Sequence, residues 1–337
     1  MGAQGDCLAA GADPRLCIER HLGEEHRAQL AADVRRGLGA AQKSLPPKYF
    51  YDARGSQLFD AICELPEYYL TRTEYALLQV SAADLVAQAG ADQLVELGSG
   101  ASRKTRLLLD ALVGQQADAC YVPIDVSESA LRSSAEALRT AYPDLRVHGM
   151  VADYERAVPP FPAARRRLVV FLGSTIGNFT PPADVAFLRG LAGRLAPGER
   201  LLLGVDLVKS TAALHAAYND RAGVTAEFNR NVLRVLNREL DADFDPERFD
   251  HVAHYNAEAA RIEMHLRARI AHRVRIAGLD LDIAFAAGET IHTENSHKYT
   301  RASVDALLGS AGFQLDRWTA SPDGAFAFAL ATVEARA

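Results

Sequence analysis

The stretch Leu94-Val95-Glu96-Leu97-Gly98-Ser99-Gly100-Ala101-Ser102-Arg103-Lys104-Thr105 decides how the rest of the chain is read. A short apolar run ends in Glu-Leu-Gly-Ser-Gly, and Leu107, Leu108, Leu109, Ala111 and Leu112 follow with helical spacing. Strand, tight glycine turn and helix, in that order, open a nucleotide-binding α/β sheet. Gly98 and Gly100 admit a close backbone approach that a side chain would block. The helix behind them presents free N–H groups to a ligand. The third glycine of a dinucleotide fingerprint is missing, because Arg103 stands where it would fall. On these residues alone, a strand–turn–helix without a ligand stays open.

Working outward, the same rhythm repeats. Cys120-Tyr121-Val122-Pro123-Ile124-Asp125 reads as a second strand ending in an acid, and Ser127 starts a helix through Leu131 and Leu138. A third strand, about Leu145 to Val151, runs into Asp153-Tyr154. A fourth, Leu168 to Leu172, runs into Gly173-Ser174-Thr175-Ile176-Gly177-Asn178-Phe179. A helix (Val185, Leu188, Leu191, Leu195) and a fifth strand, Leu201 to Val208, complete the series. Successive β–α units predict a parallel sheet with helices on both faces and ligands at the carboxyl ends of the strands. Gly98, Asp125, Asp153 and Asn178 all fall at those ends.

The flanks read differently. Residues 1–19 lack any period and are expected to be a flexible leader. Helical spacing follows from about Arg20 to Leu38, with Gly39 as its stop. Gly55 is expected to break the chain before a short helix, and Thr71 with Glu74 reads as a capping box. Residues 210–240 look helical, and 250–298 alternate like half-exposed strands. We therefore expect one domain from 73–208 and 299–337, and a second, α+β, from 20–72 and 209–298. The second is taken as a cap built from the N-terminal aromatic segment and an insertion. A final helix and two strands, Phe313 to Trp318 and Phe326 to Val333, close the first domain around the turn Ser321-Pro322-Asp323-Gly324.

Composition narrows the function. The chain has 337 residues, 49% of them hydrophobic and 24% charged, with a net charge of −6. No apolar run is long enough to cross a bilayer, and Met1 to Arg20 does not resemble a secretory signal. The short Arg165-Arg166-Arg167 run leads into a strand, so no nucleic-acid footprint is expected. The four cysteines, Cys7, Cys17, Cys63 and Cys120, show no metal or redox spacing and are read as reduced thiols in a cytoplasm. His251-Val252-Ala253-His254 invites a metal reading. No carboxylate or cysteine stands at a matching spacing, so the pair is taken as a solvated helix face and no metal is expected. The expected partner is a small molecule, with no nucleic acid and no membrane, acting on a cytoplasmic monomer.

The candidate site residues keep two readings each. A carboxylate such as Asp125 at the end of the second strand accepts both hydroxyls of a ribose, yet it is also a common turn residue. Asn178 can orient an amine or a carboxylate, or cap a helix. Tyr49, Phe50, Tyr51, Phe59, Tyr68 and Tyr69 could line a pocket for a methylated ammonium by cation–π contact, or form a hydrophobic interface. The interface reading is preferred for Phe50 and Tyr69. In Thr293-Glu294-Asn295-Ser296, an extended backbone points Glu294 and Ser296 to one side, where they suit two imidazole N–H groups. An exposed polar turn is the plainer reading. Ser99 and Ser174 do not stand in a Gly-x-Ser-x-Gly elbow.

With these residues in view, Glu96-x-Gly-x-Gly resembles the first motif of S-adenosylmethionine-dependent methyltransferases. Leu65-Pro66-Glu67-Tyr68-Tyr69 and Phe171-Leu172-Gly173-Ser174-Thr175-Ile176-Gly177-Asn178 are similar to motifs of the bacterial L-histidine Nα-methyltransferases of ergothioneine biosynthesis. Further matches at Ser44–Asp52, Gly204–Lys209, Gly223–Asn231, Arg261–Leu266 and Thr293–Lys298 extend the resemblance from about residue 28 to the end. It implies a Rossmann-like class I methyltransferase domain with a second, substrate-binding domain, and S-adenosyl-L-methionine as cofactor. Asp125 would hold the ribose and Asp153 with Tyr154 the adenine. The Glu96, Gly98, Ser99 and Gly100 turn with Lys104 would hold the methionine end.

On the substrate side the resemblance implies Glu294 and Ser296 on the imidazole, with Tyr68 beside it and Phe59, Thr225 and Met264 nearby. Asn178, Tyr218 and the Gly173 backbone would hold the amino and carboxylate groups, and Tyr51 would reach toward the amine as the best candidate to take its proton. Three methylations would convert histidine to hercynine. Relatives that act on tryptophan keep another aromatic amino acid open as substrate, and an idle nucleotide-binding protein on the same fold is the rival of another class. Two positions depart from the pattern: Leu70 stands for a proline and Tyr49 for a tryptophan. Neither change removes a reactive group.

Overall fold

The computed structural model describes residues 15–21, 25–100 and 104–334. Most of the expected leader lies outside them. Its last residues do not: β1 (Leu16–Arg20) is a strand, with Leu16 and Ile18 buried. α1 (Glu25–Leu38) buries Leu30, Val34 and Leu38, one per turn, and stops before Gly39. After β2 (Lys43–Ser44), α2 (Ala53–Cys63) starts on Asp52, whose carboxylate accepts the Gly55 N–H at 2.7 Å. Gly55 therefore sits in the first turn of a helix instead of breaking the chain. α3 (Tyr69–Ala89) begins ahead of Thr71, so no Thr71–Glu74 capping box forms. Thr71 Oγ1 bonds Cys63 Sγ at 3.2 Å, and Glu74 is 1% exposed.

The middle of the chain alternates as the periodicity predicts. β3 (Gln93–Leu97) is followed by α4 (Arg106–Gln115), β4 (Cys120–Asp125), α5 (Glu128–Ala141) and β5 (Arg146–Val151). Next come β6 (Arg167–Phe171), α6 (Ala183–Ala192) and β7 (Arg200–Asp206). Ser127 caps α5, its hydroxyl accepting the Ala130 N–H at 3.3 Å. Two helices follow, α7 (Thr211–Tyr218) and α8 (Val224–Leu240). They precede β8 (Phe249–Asn256), β9 (Arg261–Ala268), β10 (His272–Ile276), β11 (Leu281–Phe285) and β12 (Thr290–His297). The described chain ends with α9 (Arg301–Ser310), β13 (Phe313–Ala320) and β14 (Phe326–Val333).

These elements make two compact units, one within residues 1–23, 73–207 and 299–337, the other from 24–72 and 208–298. The first is an eight-stranded sheet in the order β1-β5-β4-β3-β6-β7-β14-β13. Its strands from β1 to β7 are parallel, and β14 joins β7 antiparallel. Every residue of β3 is buried, because helices cover both faces of a parallel sheet. Alternate residues of one strand feed two cores: Val95, Val122, Val169 and Leu201 on one side, Leu94, Tyr121, Leu168 and Leu202 on the other. From β3 the chain first winds outward through β4 and β5, then restarts on the opposite side with β6 and β7. That reversal opens a crevice at the carboxyl ends of β3 and β6. This is the Rossmann-like arrangement.

The second unit is α+β. A four-stranded sheet, β2-β12-β9-β8, and a β10–β11 hairpin share a core with α8. The amphipathic α8 turns Phe228, Val232 and Leu236 toward Ile262, Met264, Leu266 and Ile291. Among the described residues no helix is long and apolar enough to cross a membrane. Cys63 and Cys120 are free thiols, whereas Cys17 is disulfide-bonded, against its reading as a reduced thiol.

Candidate active site

In the first unit, the turn after β3 runs through Gly98 at φ 72° and Gly100 at φ 48°, conformations that side chains seldom adopt. A Cβ on Gly98 would stand 2.9 Å from the Tyr154 hydroxyl, so glycine is also what lets the tyrosine lie over the turn. Gly98 N–H donates to the Ile124 carbonyl at 2.8 Å and Gly100 N–H to Asp125 Oδ2 at 2.9 Å. Asp125 Oδ1 accepts Ser127 N–H at 2.9 Å. Each carboxylate oxygen keeps a lone pair for a further donor, as a ribose diol would need. Burial pushes the Asp125 carboxyl up, against the backbone donors that hold it down. Asp153 Oδ1 accepts the N–H groups of Glu155 and Arg156 at 3.1 and 3.2 Å, and Tyr154 packs edge-on against Phe171 at 5.8 Å.

Glu96 lies beneath this turn, inside β3. Its carboxylate accepts the Thr105 hydroxyl at 2.5 Å and the Tyr121 hydroxyl, tying the strand to the start of α4. Burial pushes it up to about 7, with both hydroxyls acting the other way. Its contribution is to the shape of the turn. Ser99, by contrast, has a buried hydroxyl with no hydrogen-bond partner among the described residues. A backbone cradle, a capped carboxylate and an orphan hydroxyl fit a ligand with a nucleoside and a polar tail.

The second strand end of the crevice holds a network that the sequence did not suggest. Gly173 (φ 71°) and Ser174 (φ 56°) are consecutive left-handed residues, followed by a 3-10 turn over Thr175–Asn178. Glu74 holds them from α3: Oε1 accepts the Gly173 N–H at 2.7 Å, and Oε2 binds Lys104 Nζ. Ser174 Oγ accepts the buried Asp206 N–H at 2.9 Å. Lys104 is thus engaged by Glu74, and the Gly173 N–H is spent within the fold. Asn178 ends the 3-10 turn, while α6 is capped at Pro182, so the helix-cap reading of Asn178 does not hold.

In the second unit, rings form a continuous floor. Tyr51 meets Phe59 at 5.6 Å, Phe59 meets Tyr68 at 6.3 Å, and Tyr68 meets Tyr218 at 6.3 Å, all edge-on. Phe228, unremarked in the sequence, joins Tyr51 and Phe59 at 5.4 and 5.9 Å. Helical spacing on α8 was its only available signal. Phe50 is fully buried in this unit's core, and Tyr69 packs against that core with Lys209 Nζ over its ring at 4.4 Å. Burial, with Tyr218, Cys63, Tyr51 and Glu294 adding to it, pushes the Tyr68 hydroxyl well above its usual range. Thr225 is buried in the first turn of α8, its N–H donating to Asp220 Oδ1 at 2.8 Å.

Strand β12 carries the polar end, and one irregularity decides which way it faces. Ile291 pairs with Leu266 and His292 with His265, but Glu294, not Thr293, pairs with Met264. The bulge at Thr293 resets the alternation, so Glu294 and Ser296 share the inner face with Ile291. Thr293 is pinned there by its hydroxyl, 2.7 Å from Asn229 Oδ1 and 3.1 Å from the Met264 carbonyl. Ser296 Oγ lies 2.7 Å from the Tyr218 hydroxyl and 2.7 Å from Lys298 Nζ. Burial pushes Glu294 up to about 7, with Lys298 opposing. The plain reading of this segment as an exposed turn does not hold.

Tyr51, Phe59, Tyr68, Tyr218, Thr225, Met264, Glu294 and Ser296 belong to the second unit. Glu96, Gly98, Ser99, Gly100, Lys104, Asp125, Asp153, Tyr154, Gly173 and Asn178 belong to the first. His251 and His254 lie on strand β8, not on a helix, and face opposite sides.

Comparison with known proteins agrees with this chemistry. Residues 30–333 match the family described as histidine-specific methyltransferase, SAM-dependent. The chain is 52% identical over 317 residues to the histidine N-alpha-methyltransferase of Mycolicibacterium smegmatis, covering 94% of this chain and 99% of that one. It is 49% identical over 319 residues to the histidine N-alpha-methyltransferase of Mycobacterium tuberculosis, with the same coverage of both chains. Ergothioneine biosynthesis protein 1 of Neurospora crassa is 30% identical over 298 residues, 82% of this chain and 32% of that longer protein. The chain belongs to the family of histidine-specific, S-adenosylmethionine-dependent methyltransferases.

Proposed function

We propose that this protein transfers methyl groups from S-adenosylmethionine to the α-amino group of L-histidine, three in succession, giving hercynine in the first step of ergothioneine biosynthesis. The observation that carries the choice of histidine is the polar pair Glu294 and Ser296, turned by the Thr293 bulge onto a face otherwise lined by Met264 and aromatic rings. A carboxylate there accepts an imidazole N–H; an indole of larger size would leave part of it unpaired.

S-adenosylmethionine, when bound, supplies a methyl group on a cationic sulfur, which an amine lone pair displaces as the new C–N bond forms. Asp125 is proposed to hold the ribose, Tyr154 and Asp153 the adenine, and the Gly98–Gly100 turn with the Ser99 hydroxyl the polar tail. Asn178, Tyr218 and the Gly173 carbonyl are proposed to orient the amino and carboxylate groups, so that the reaction gains mainly from positioning. An amine attacks only when neutral, and Tyr51, the most exposed ring of the aromatic floor at 36%, is proposed to pass its proton to water. The protein is proposed to act in the cytoplasm as a single chain.

The test is to incubate the protein with S-adenosylmethionine and each of histidine, tryptophan, tyrosine and histamine, and to weigh the products. Histidine gaining three methyl groups with histamine inert is the expected result. Methylation of tryptophan in its place would overturn the assignment to Glu294.

A further inference from the structure

The outer face of the same sheet carries a second polar cluster that methyl transfer does not use. In the register of β8 and β9, His254 lies directly opposite Glu263, and His265 stands two residues further along β9 on the same face. His292 of β12 pairs with His265 across the sheet. The rings stack in a row: His254 on His265 with centroids 5.4 Å apart, and His265 on His292 at 4.7 Å. Glu263 stands beside the row. Its Oε1 is fixed by Arg261, at 2.8 Å from Nε and 2.7 Å from Nη2, and by Asn256 Nδ2 at 3.0 Å. Its Oε2 faces the two rings, 3.6 Å from His254 Nε2 and 3.4 Å from His265 Nε2.

Of those two separations, 3.4 Å is a long hydrogen bond and 3.6 Å lies beyond one. They are close to the spacing of ligand atoms around one tetrahedral ion, which for metal bonds of roughly 2.0–2.2 Å is about 3.4 Å. The ligand atoms of His254, Glu263 and His265 all lie within 4.8 Å of one another. His265 turns Nε2 toward Glu263, while its Nδ1 is buried on the other side of the ring, with no partner among the described residues. His292 is occupied differently, its Nε2 lying 3.1 Å from the Glu294 carbonyl. We propose that His254, Glu263 and His265 form a binding site for a divalent late-transition ion such as Zn²⁺, with a fourth position open to water beside the half-exposed His254. Two imidazoles with one carboxylate suit Zn²⁺, Ni²⁺ or Cu²⁺, and do not suit Mg²⁺ or Ca²⁺, which take oxygen ligands. The ion would pin β8 to β9, and Met264, between two of its ligands, faces the opposite side of the sheet.

The experiment uses the full, tag-free chain in buffer without histidine, titrated with Zn²⁺ in competition with a chromophoric chelator. Melting curves are recorded with and without the ion. One equivalent bound at micromolar concentration is expected, with a higher Tm, and His254→Ala and Glu263→Gln are expected to weaken binding at least tenfold. His254 is 47% exposed at its side chain, so its variant should melt like the parent when metal is absent. Co²⁺ in place of Zn²⁺ should give the visible absorption of a tetrahedral site in the parent and not in either variant. No stoichiometric binding at 100 µM Zn²⁺, or binding and Co²⁺ spectra unchanged by His254→Ala, would overturn the site.

Discussion

At the scale of single residues, Glu294 concentrates the most consequence. Hydrogen bonds to a charged group contribute about 1.5–3 kcal/mol, so Glu294→Gln should lower kcat/KM for histidine roughly 10- to 100-fold. Because burial raises this carboxyl to about 7, the carboxylate forms as pH rises through that value. The parent's kcat/KM should therefore gain between pH 6 and 8 relative to Glu294→Gln, and the ratio of the two profiles isolates that limb from the titration of the substrate. Stability moves the opposite way. A carboxyl whose folded pKa is raised binds more protons folded than unfolded between about 4.5 and 7, so stability falls as pH rises through that window. Urea melts at pH 8 should find Glu294→Gln more stable than the parent by about 1–3 kcal/mol, with the difference vanishing near pH 4. Glu96, also raised to about 7, carries the same sign and keeps a residual slope in the variant. For Tyr51, replacement by Phe tests the proton route: a rate and pH profile identical to the parent's would remove the tyrosine from it.

At the scale of elements, two irregular backbones shape the site. Ser174 holds a left-handed conformation that costs about 1 kcal/mol or more, and its hydroxyl satisfies the buried Asp206 N–H. Ser174→Gly relieves the strain but strands that N–H, a loss of about 1–3 kcal/mol, and glycine adds unfolded-state entropy. The hydrogen bond should win, leaving the variant about 1–2 kcal/mol less stable by denaturant melts. The bulge in β12 rests on Thr293, whose isosteric replacement by Val should cost about 1–2 kcal/mol and raise KM for histidine, since the inward facing of Glu294 depends on it. The sheet strands and helices themselves follow from period and caps. Alternation of strand and helix from β3 to β7 was legible, as was the Ser127 cap, since each depends on neighbours a few residues away. The Thr71–Glu74 capping box was a false local signal. The same two side chains found partners in Cys63 and in Lys104 with Gly173.

At the scale of the whole molecule, we propose that the donor is held by the first unit and the acceptor's imidazole by the second. Asp125→Asn should weaken S-adenosylhomocysteine binding at least tenfold by calorimetry, while Glu294→Gln leaves it within about twofold. Equal losses in both variants would mean that the division is wrong. The sequence by itself determined the parallel sheet, the place of the glycine turn at a strand end, and the β-rich character of the later insertion. Those depend on backbone preference and on the spacing of apolar residues along the chain. Tertiary structure alone decided which side of β12 carries Glu294, because Asn229, 64 positions away, anchors the bulge. It alone joined Glu74 to Gly173 across 99 positions, and set Glu263 opposite His254 by strand register. A side chain's partner is fixed by whatever the fold brings within a few ångströms, and distance along the chain carries almost no record of that.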